Sequence, residues 1–183
     1  MTRAHREWRR RDERSSLAPV SGAKKTNAAR ALDALGIRYE LRSYPVDEAD
    51  LSAEAAAHKL GLPPEQVWKT LCLRADDRAV LLAVIPAGTE LDLKKLAHAA
   101  GKRAVAPVPL KELTELTGYV RGGCTALACK KPYPVYVDET VQLVDAISVS
   151  AGQRGLQLVL HPDDYARAVS AVLTDLTRPK SAT

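Results

Sequence analysis

The chain has no phenylalanine, two tryptophans and three cysteines among its 183 residues. Hydrophobic residues nevertheless make up 46% of it, so we expect a core built from Leu, Val and Ala. Three cysteines are too few for a disulfide framework and indicate a reducing compartment. No apolar run approaches the roughly 20 residues that span a bilayer, and no apolar stretch follows the N-terminal arginines. We therefore expect a cytoplasmic protein without a membrane segment.

An excess of positive charge is also absent from most of the chain, although the net charge is +5. Residues 1–25 hold eight of the 27 basic residues and three of the 22 acidic ones, so the remainder is formally neutral. The excess indicates a basic arm that could touch a polyanion, or a solvated, disordered extension. We expect a tail over residues 1–23, one domain over 24–177 and a short C-terminal tail over 178–183.

The order of the predicted elements favours an α+β fold. Short strands and helices follow each other without a regular βαβ alternation, and about six or seven strands and five helices are expected. The last helix is predicted from Pro162, with Tyr165, Val172 and Leu176 on its apolar stripe. A strand is expected over residues 144–149. These elements predict one domain with a mixed, barrel-like sheet surrounded by helices.

The predicted strand Val67–Leu73 carries a lysine on an apolar face. Alternate side chains of a strand point to opposite sides, so Lys69 shares a face with Val67 and Leu71. A lysine directed at apolar neighbours needs a partner or a wet cavity. It could protect a sheet edge, extend its ammonium to solvent, or serve a functional site.

Two glycine-bearing loops could bind a ligand. Gly122-Gly123, with Thr125 two residues on, could bring backbone N–H groups close to a carbonyl oxygen or a phosphate, or could simply form a turn. In the loop from Ser150 to Gly155, Arg154 could hold a phosphate or carboxylate, or lie on the surface. Gly152 to Gly155 lacks the spacing of a nucleotide-binding P-loop, so no nucleotide cofactor is expected.

Neither nucleophilic nor metal chemistry is supported by the cysteines. Cys124 lies in the first glycine loop, yet none of the four histidines can be paired with it as a base. Zinc needs four ligands, and no second Cys/His pair accompanies Cys124 and Cys129. We expect no metal and no cofactor.

Four collinear motifs resemble one family. Residues 26–177 are similar to the YbaK/EbsC group of aminoacyl-tRNA deacylases, within the prolyl-tRNA synthetase editing-type domains. The matching residues are Val67-Trp68-Lys69-Thr70-Leu71; Leu91-Asp92-Leu93-Lys94-Lys95; Thr117-Gly118-Tyr119-Val120 together with Gly122-Gly123; and Ser150, Gly152 and Arg154-Gly155-Leu156.

The resemblance implies editing in trans, the removal of a wrong amino acid, typically cysteine, from tRNA(Pro), with tRNA(Cys) as a further substrate. It implies that Lys69 positions the ester and stabilises charge and that Gly122 and Gly123 supply backbone donors. Tyr44 and Thr125 are expected to line the pocket, and Gly152 and Arg154 to contact the tRNA end. The substrate's own thiol attacks its ester in the cysteine-specific branch, which needs no protein nucleophile.

The chain departs from the family pattern in the glycine loop. Ala126 stands where proline is usual, Ala128 replaces a glycine, and Cys124 replaces an aliphatic residue. Alternatives to a cysteine-specific deacylase are therefore a deacylase for another small amino acid such as alanine, a small-molecule ester hydrolase, or a non-catalytic module that binds tRNA or a synthetase. Prolyl-tRNA synthetase is a further expected partner.

Overall fold

The computed structural model describes residues 25–180, which contain five α-helices and ten β-strands. The basic tail expected at residues 1–23 lies outside the described part. The helices are α1 (Asn27–Ala34), α2 (Ala53–Leu60), α3 (Leu93–Ala99), α4 (Leu110–Thr117) and α5 (Pro162–Ala168). None of these helices is long and apolar enough to cross a membrane.

Eight of the ten described strands form one mixed sheet. The strands are β1 (Glu40–Ser43), β2 (Val67–Ala75), β3 (Val80–Pro86), β4 (Thr89–Leu91), β5 (Val105–Pro107), β6 (Val135–Asp138), β7 (Ile147–Ser150), β8 (Leu156–Leu160), β9 (Val172–Thr174) and β10 (Thr177–Pro179). Their order in the main sheet is β1-β8-β7-β2-β3-β6-β9, with β5 also paired to β2, while β4 and β10 form a two-stranded sheet. Parallel pairs (β2 with β7, β3 with β6, β6 with β9) stand beside antiparallel ones. The predicted α+β class with a mixed sheet is confirmed.

Capping residues define the ends of helices α2 and α3, which lie next to strand β2 or under the sheet it belongs to. The Ser52 side chain accepts a hydrogen bond from the Ala55 amide and begins α2, and Asp92 accepts from the Lys94 and Lys95 amides to begin α3. Gly61 ends α2 in the left-handed conformation, at φ 64°. These ends agree with those predicted.

Strands β2 and β3 form the predicted hairpin at the centre of the sheet. Their antiparallel register places Lys69 opposite Ile85. Core residues cover both faces of the pair: Trp68 and Val84 belong to the larger cluster, whereas Leu73 and Ile85 belong to a second one under α3. A strand covered on both faces is held in place by packing along most of its length.

The second side of β2 is paired only at its ends. On the edge of β2 that faces away from β3, residues Val67–Trp68 pair with β7, and Leu73–Ala75 pair with β5. Between these two ladders no strand of residues 25–180 pairs with the stretch from Lys69 to Leu71 on that side. The sheet therefore has an internal gap beside Lys69, and side chains and loops surround it.

The predicted last helix is wrong beyond Ala168. Ser170 takes a positive φ of 50° and the Ala171 amide turns back to the Ala166 carbonyl, so α5 stops there. Val172–Thr174 then forms β9, parallel to β6, and Leu176 is buried in the core under α3. The four-residue spacing of the apolar side chains resembled a helix, but pairing with the edge of β6 gives this segment its hydrogen bonds.

Two further boundaries differ from those predicted. The strand expected from residue 144 begins at Ile147, because Glu139–Leu143 forms a 3-10 turn before it. The expected C-terminal tail is partly structured, because Arg178 and Pro179 pair with Glu90 and Thr89 of β4. Ladder hydrogen bonds hold these residues on the domain, and the strand β10 crosses the boundary expected at residue 177.

Candidate functional site

A cavity of about 570 Å³ lies at the gap in the sheet beside β2. Seven consecutive residues, Val67 to Leu73, line it, and the middle of this stretch lies between the short ladders with β7 and β5. The loop before α2, strand β4, the start of α4 and the first glycine loop complete the wall. The polar and charged lining residues are Tyr44, Ser52, Glu54, Lys69, Thr70, Glu90, Arg121, Ser150 and Gln157.

Lys69 carries a half-buried ammonium on the wall of this cavity. Its Nζ donates a hydrogen bond to the Thr89 carbonyl oxygen at 2.8 Å. Burial lowers the pKa of Lys69, the negative charge of Glu54 raises it, Lys180 lowers it and Glu90 raises it again. Lys69 therefore lines the cavity, is held by a hydrogen bond to Thr89, and lies near charges of both signs.

Glu54 supplies a carboxylate beside Lys69. Its Oε1 accepts a hydrogen bond from the Gly88 amide at 3.0 Å and also contacts the Lys180 ammonium. Partial burial acts to raise the pKa of Glu54, but Lys180, the amides of Glu54 and Gly88, and Lys69 outweigh it and bring it to about 2. Glu54 is thus an anion throughout the neutral range.

Gly122 and Tyr44, two further residues of the expected site, line the cavity together with Lys69. Gly122 has φ 82°, and a Cβ there would meet the Leu51 side chain at 3.3 Å. Only glycine takes that conformation readily while another side chain lies so close. The Tyr44 amide donates to the Gly155 carbonyl at 2.9 Å, which fixes the tyrosine against the loop between β7 and β8.

Gly123 and Thr125 lie behind the cavity wall. The Gly123 amide donates to the Val120 carbonyl at 3.0 Å, so this N–H closes a turn. Thr125 is fully buried, and its hydroxyl accepts a hydrogen bond from the Leu127 amide at 3.4 Å. In this arrangement Gly123 and Thr125 support the loop that presents Gly122.

Gly152 and Arg154 also hold loops together. A Cβ on Gly152 would lie 2.7 Å from the Tyr119 ring, so the glycine permits close packing. The Arg154 guanidinium donates to the Arg121 carbonyl at 2.9 Å and to Glu48 at 2.6 Å. Arg154 thereby ties the glycine loop and the acidic loop at residues 47–50 to the β7–β8 connection.

The two cavity thiols are poorly suited to nucleophilic attack. Burial raises the pKa of Cys124 to about 12, with the neighbouring thiols adding to it, and burial raises the pKa of Cys72 to about 11. Since the thiolate is the reactive form, both are protonated at neutral pH. Among residues 25–180 there is also no cluster of His, Cys, Asp and Glu that could hold a metal ion.

The sequence alone pointed to Lys69 but not to Glu54 and Gln157, two polar residues that line the same cavity. Glu54 occurs in an ordinary first-turn position of α2, where an acidic residue is common. Gln157 points from β8, is 6% exposed and accepts a hydrogen bond from the Ser148 hydroxyl at 3.3 Å. A glutamine in an otherwise apolar strand was the signal that could have identified Gln157. Nothing in the neighbouring sequence distinguishes Glu54.

Comparison with known proteins identifies the family. The sequence model of the aminoacyl-tRNA editing domain matches residues 47–168, which include the whole of β2 and both glycine loops. EbsC of Enterococcus faecalis, described as a proposed Cys-tRNA(Pro)/Cys-tRNA(Cys) deacylase, is 39% identical over 161 residues, covering 88% of this chain and 98% of EbsC.

Solved structures share the fold. A hypothetical protein, APE2540, superposes with a TM-score of 0.76 at 24% identity, over 83% of this chain and 99% of that one. A proposed trans-editing enzyme for prolyl-tRNA synthetase gives 0.72 at 22% identity, over 85% of this chain and 99% of that one. With the cavity at β2 and the extent of the sequence match, these findings show that the chain belongs to the aminoacyl-tRNA editing domain family.

Proposed function

We propose that this protein is a trans-editing deacylase that removes a mischarged amino acid, cysteine first of all, from tRNA(Pro), and also from tRNA(Cys). The observation that carries the proposal is the half-buried Lys69 ammonium on the wall of a cavity of about 570 Å³. Membership of the editing family and the 39% identity to EbsC support it. The protein then acts in the cytoplasm on the product of prolyl-tRNA synthetase.

Lys69 suits the stabilisation of charge on an ester. As the carbonyl is attacked its oxygen becomes an anion, and a fixed ammonium in a partly dry cavity stabilises that anion more than it does the neutral ester. The contact to Thr89 holds the ammonium in one place before the substrate arrives. Preorganised donors of this kind account for factors of about 10² to 10³ in rate.

The nucleophile in this proposal is the cysteinyl thiol of the substrate. Its sulfur attacks the carbonyl carbon, the bond to the ribose oxygen breaks, and the released hydroxyl takes the proton that the thiol lost. The cyclic thioester so formed is then hydrolysed to free cysteine. A nucleophile carried by the substrate is consistent with protein thiols whose pKa values burial has raised. Orientation inside the cavity supplies much of the rate.

The test is a panel of tRNAs charged with cysteine, alanine, serine or proline. The parent protein is expected to release cysteine from tRNA(Pro) fastest, and Lys69→Ala to lose about 100-fold or more. Lys25→Ala, which changes an exposed lysine two residues before α1, is the control and should keep full activity. A shortened chain beginning at residue 24 measures the contribution of the basic arm. Release of none of the four amino acids, or full activity in Lys69→Ala, would refute the proposal.

A further inference from the structure

Lys69 and Glu54 form a pair of opposite charges on one side of the cavity. Both residues line it, and each appears among the charges that shift the other's pKa. They are fixed to neighbouring peptide groups, because Glu54 accepts from the Gly88 amide and Lys69 donates to the Thr89 carbonyl. The turn between β3 and β4 therefore sets the position of both charges at once.

A second lysine, Lys180, forms an ion pair with Glu54. Lys180 follows strand β10, whose register places Pro179 opposite Thr89, and its ammonium contacts the same Oε1 that accepts from Gly88. The Lys180 side chain is 47% exposed and that of Glu54 is 32% exposed. A solvent-accessible ion pair of this kind is weak, at about 0–1 kcal/mol, so another ammonium ion could take its place.

An aminoacyl ester carries the complementary pattern of charge. Its α-ammonium and its carbonyl oxygen are attached to adjacent carbon atoms, so a site that holds both needs an anion and a cation side by side. Glu54 and Lys69 provide that arrangement within the proposed deacylase cavity. An ester whose nitrogen is acylated has lost the positive charge and presents an amide to the carboxylate instead.

We infer that Glu54 binds the α-ammonium of the aminoacyl group, displacing Lys180, while Lys69 faces the ester carbonyl. This inference rests on the proposed deacylase function and narrows its substrate class to aminoacyl esters with a free α-amine. N-formylated, N-acetylated and peptidyl esters are rejected by the same carboxylate. Such selectivity spares tRNAs that carry a growing chain from hydrolysis.

Glu90 provides a matched comparison for Glu54. It also lines the cavity and also has a basic partner from the C-terminal strand, Arg178, at 3.1 Å. Glu90 and Arg178 are paired directly across the β4–β10 ladder, which holds the arginine beside its carboxylate, whereas Lys180 lies beyond the last paired residue of β10. Glu54 is thus the carboxylate whose partner a substrate ammonium can replace.

The binding test uses adenosine analogues with the amino acid attached at the 3′ position through an amide, which cannot be hydrolysed as an ester is. Calorimetry compares the analogue with a free α-amine and its N-acetyl form. The parent protein should bind the free-amine form at least tenfold more tightly. Glu54→Gln should bring the two affinities within about twofold, Glu90→Gln should keep the preference, and Lys180→Met should strengthen binding of the free amine.

A parallel kinetic test uses Cys-tRNA(Pro) with and without N-acetylation. Glu54→Gln is expected to raise KM for the free-amine substrate and to remove the preference over the acetylated one. A preference that survives in Glu54→Gln, in a protein that unfolds cooperatively like the parent, overturns the inference and leaves the deacylase proposal intact. Absence of turnover in the parent refutes the deacylase proposal, and the analogue affinities then decide the inference. Equal binding of both analogues by the parent also overturns it.

Discussion

Lys69 and Glu54 are held by consecutive residues at the end of the β3–β4 turn: Lys69 by the carbonyl of Thr89, the first residue of β4, and Glu54 by the amide of Gly88. The distance between the two charges therefore depends on one short backbone segment. Gly88 adopts φ 81°, which allows the turn to present its amide to Glu54. A change in the turn would move the ammonium and the carboxylate together.

Replacing Lys69 by methionine should stabilise the protein while abolishing its activity. Burial lowers the pKa of Lys69, so the charged form is disfavoured in the folded state relative to the unfolded chain. We expect Lys69→Met to raise the free energy of unfolding at pH 7 by about 0.5–1 kcal/mol.

The gain in the free energy of unfolding from Lys69→Met should decrease as the pH rises. A lysine whose folded pKa is lowered reduces stability while it is charged, and this penalty fades as the pH rises toward the ordinary value of 10.5. Urea unfolding of both proteins between pH 7 and pH 10 measures the difference. A difference that grew with pH would contradict this assignment.

Glu54 should stabilise the fold above its unfolded pKa and lose that effect in acid. Its folded pKa of about 2 lies below the ordinary 4.5, so its contribution is complete above pH 4.5 and disappears as the pH falls toward 2. Glu54→Gln should cost at most about 1 kcal/mol at pH 7. Unfolding curves at pH 7, 4 and 3 should show the parent approaching the variant, whereas a constant gap would argue against the ion pair.

Gly155→Ala should damage both stability and the site. The added Cβ would lie 2.7 Å from a Val46 methyl carbon and 2.9 Å from the Tyr44 carbonyl oxygen, at a φ of 75°. Gly101→Ala is the matched control, because Gly101 has φ 64° and nothing lies within 4 Å of its Cβ position. We expect a loss of about 1 kcal/mol for the control and at least about 2 kcal/mol for Gly155→Ala by urea unfolding. Equal losses of unfolding free energy in the two variants would show that Val46 and Tyr44 can move to accommodate the added Cβ at little cost.

The thiols should react slowly in the folded protein. Burial raises the pKa of Cys72 and Cys129 to about 11 and that of Cys124 to about 12, so little thiolate exists at pH 8. Iodoacetamide should modify all three rapidly only in guanidinium. Cys124→Ser should retain deacylation of Cys-tRNA(Pro) within a few-fold, and a complete loss, with the fold intact, would assign the thiol a chemical role.

The position of Lys69 could be predicted because it depends on local pattern. Alternation along β2 and the turn before β3 are encoded within neighbouring residues, and the hairpin agrees with them. The gap beside Lys69 could not be predicted in this way, since it results from β5 and β7 ending short of each other on the same side of β2. Pairings between distant segments leave little trace in any one of them.

Glu54 shows the same limit at the level of a single residue. Its hydrogen-bond partners Gly88 and Lys180 are 34 and 126 positions away in the sequence. Residues 172–176 show the opposite failure: a helical spacing was present, yet β6 offered a strand edge and the chain paired with it. Local propensity is a weak guide where tertiary hydrogen bonds compete.

Strand β10 has a practical consequence for anyone handling this protein. It brings Arg178 and Lys180 to the carboxylates of Glu90 and Glu54, so two compensating cations lie within one three-residue segment. Trimming by a carboxypeptidase back to Thr177 would leave both acids facing the cavity without these partners. A purification tag is therefore better fused to the N-terminus. Mass spectrometry of the intact protein should verify that residues 178–180 are present whenever activity is measured.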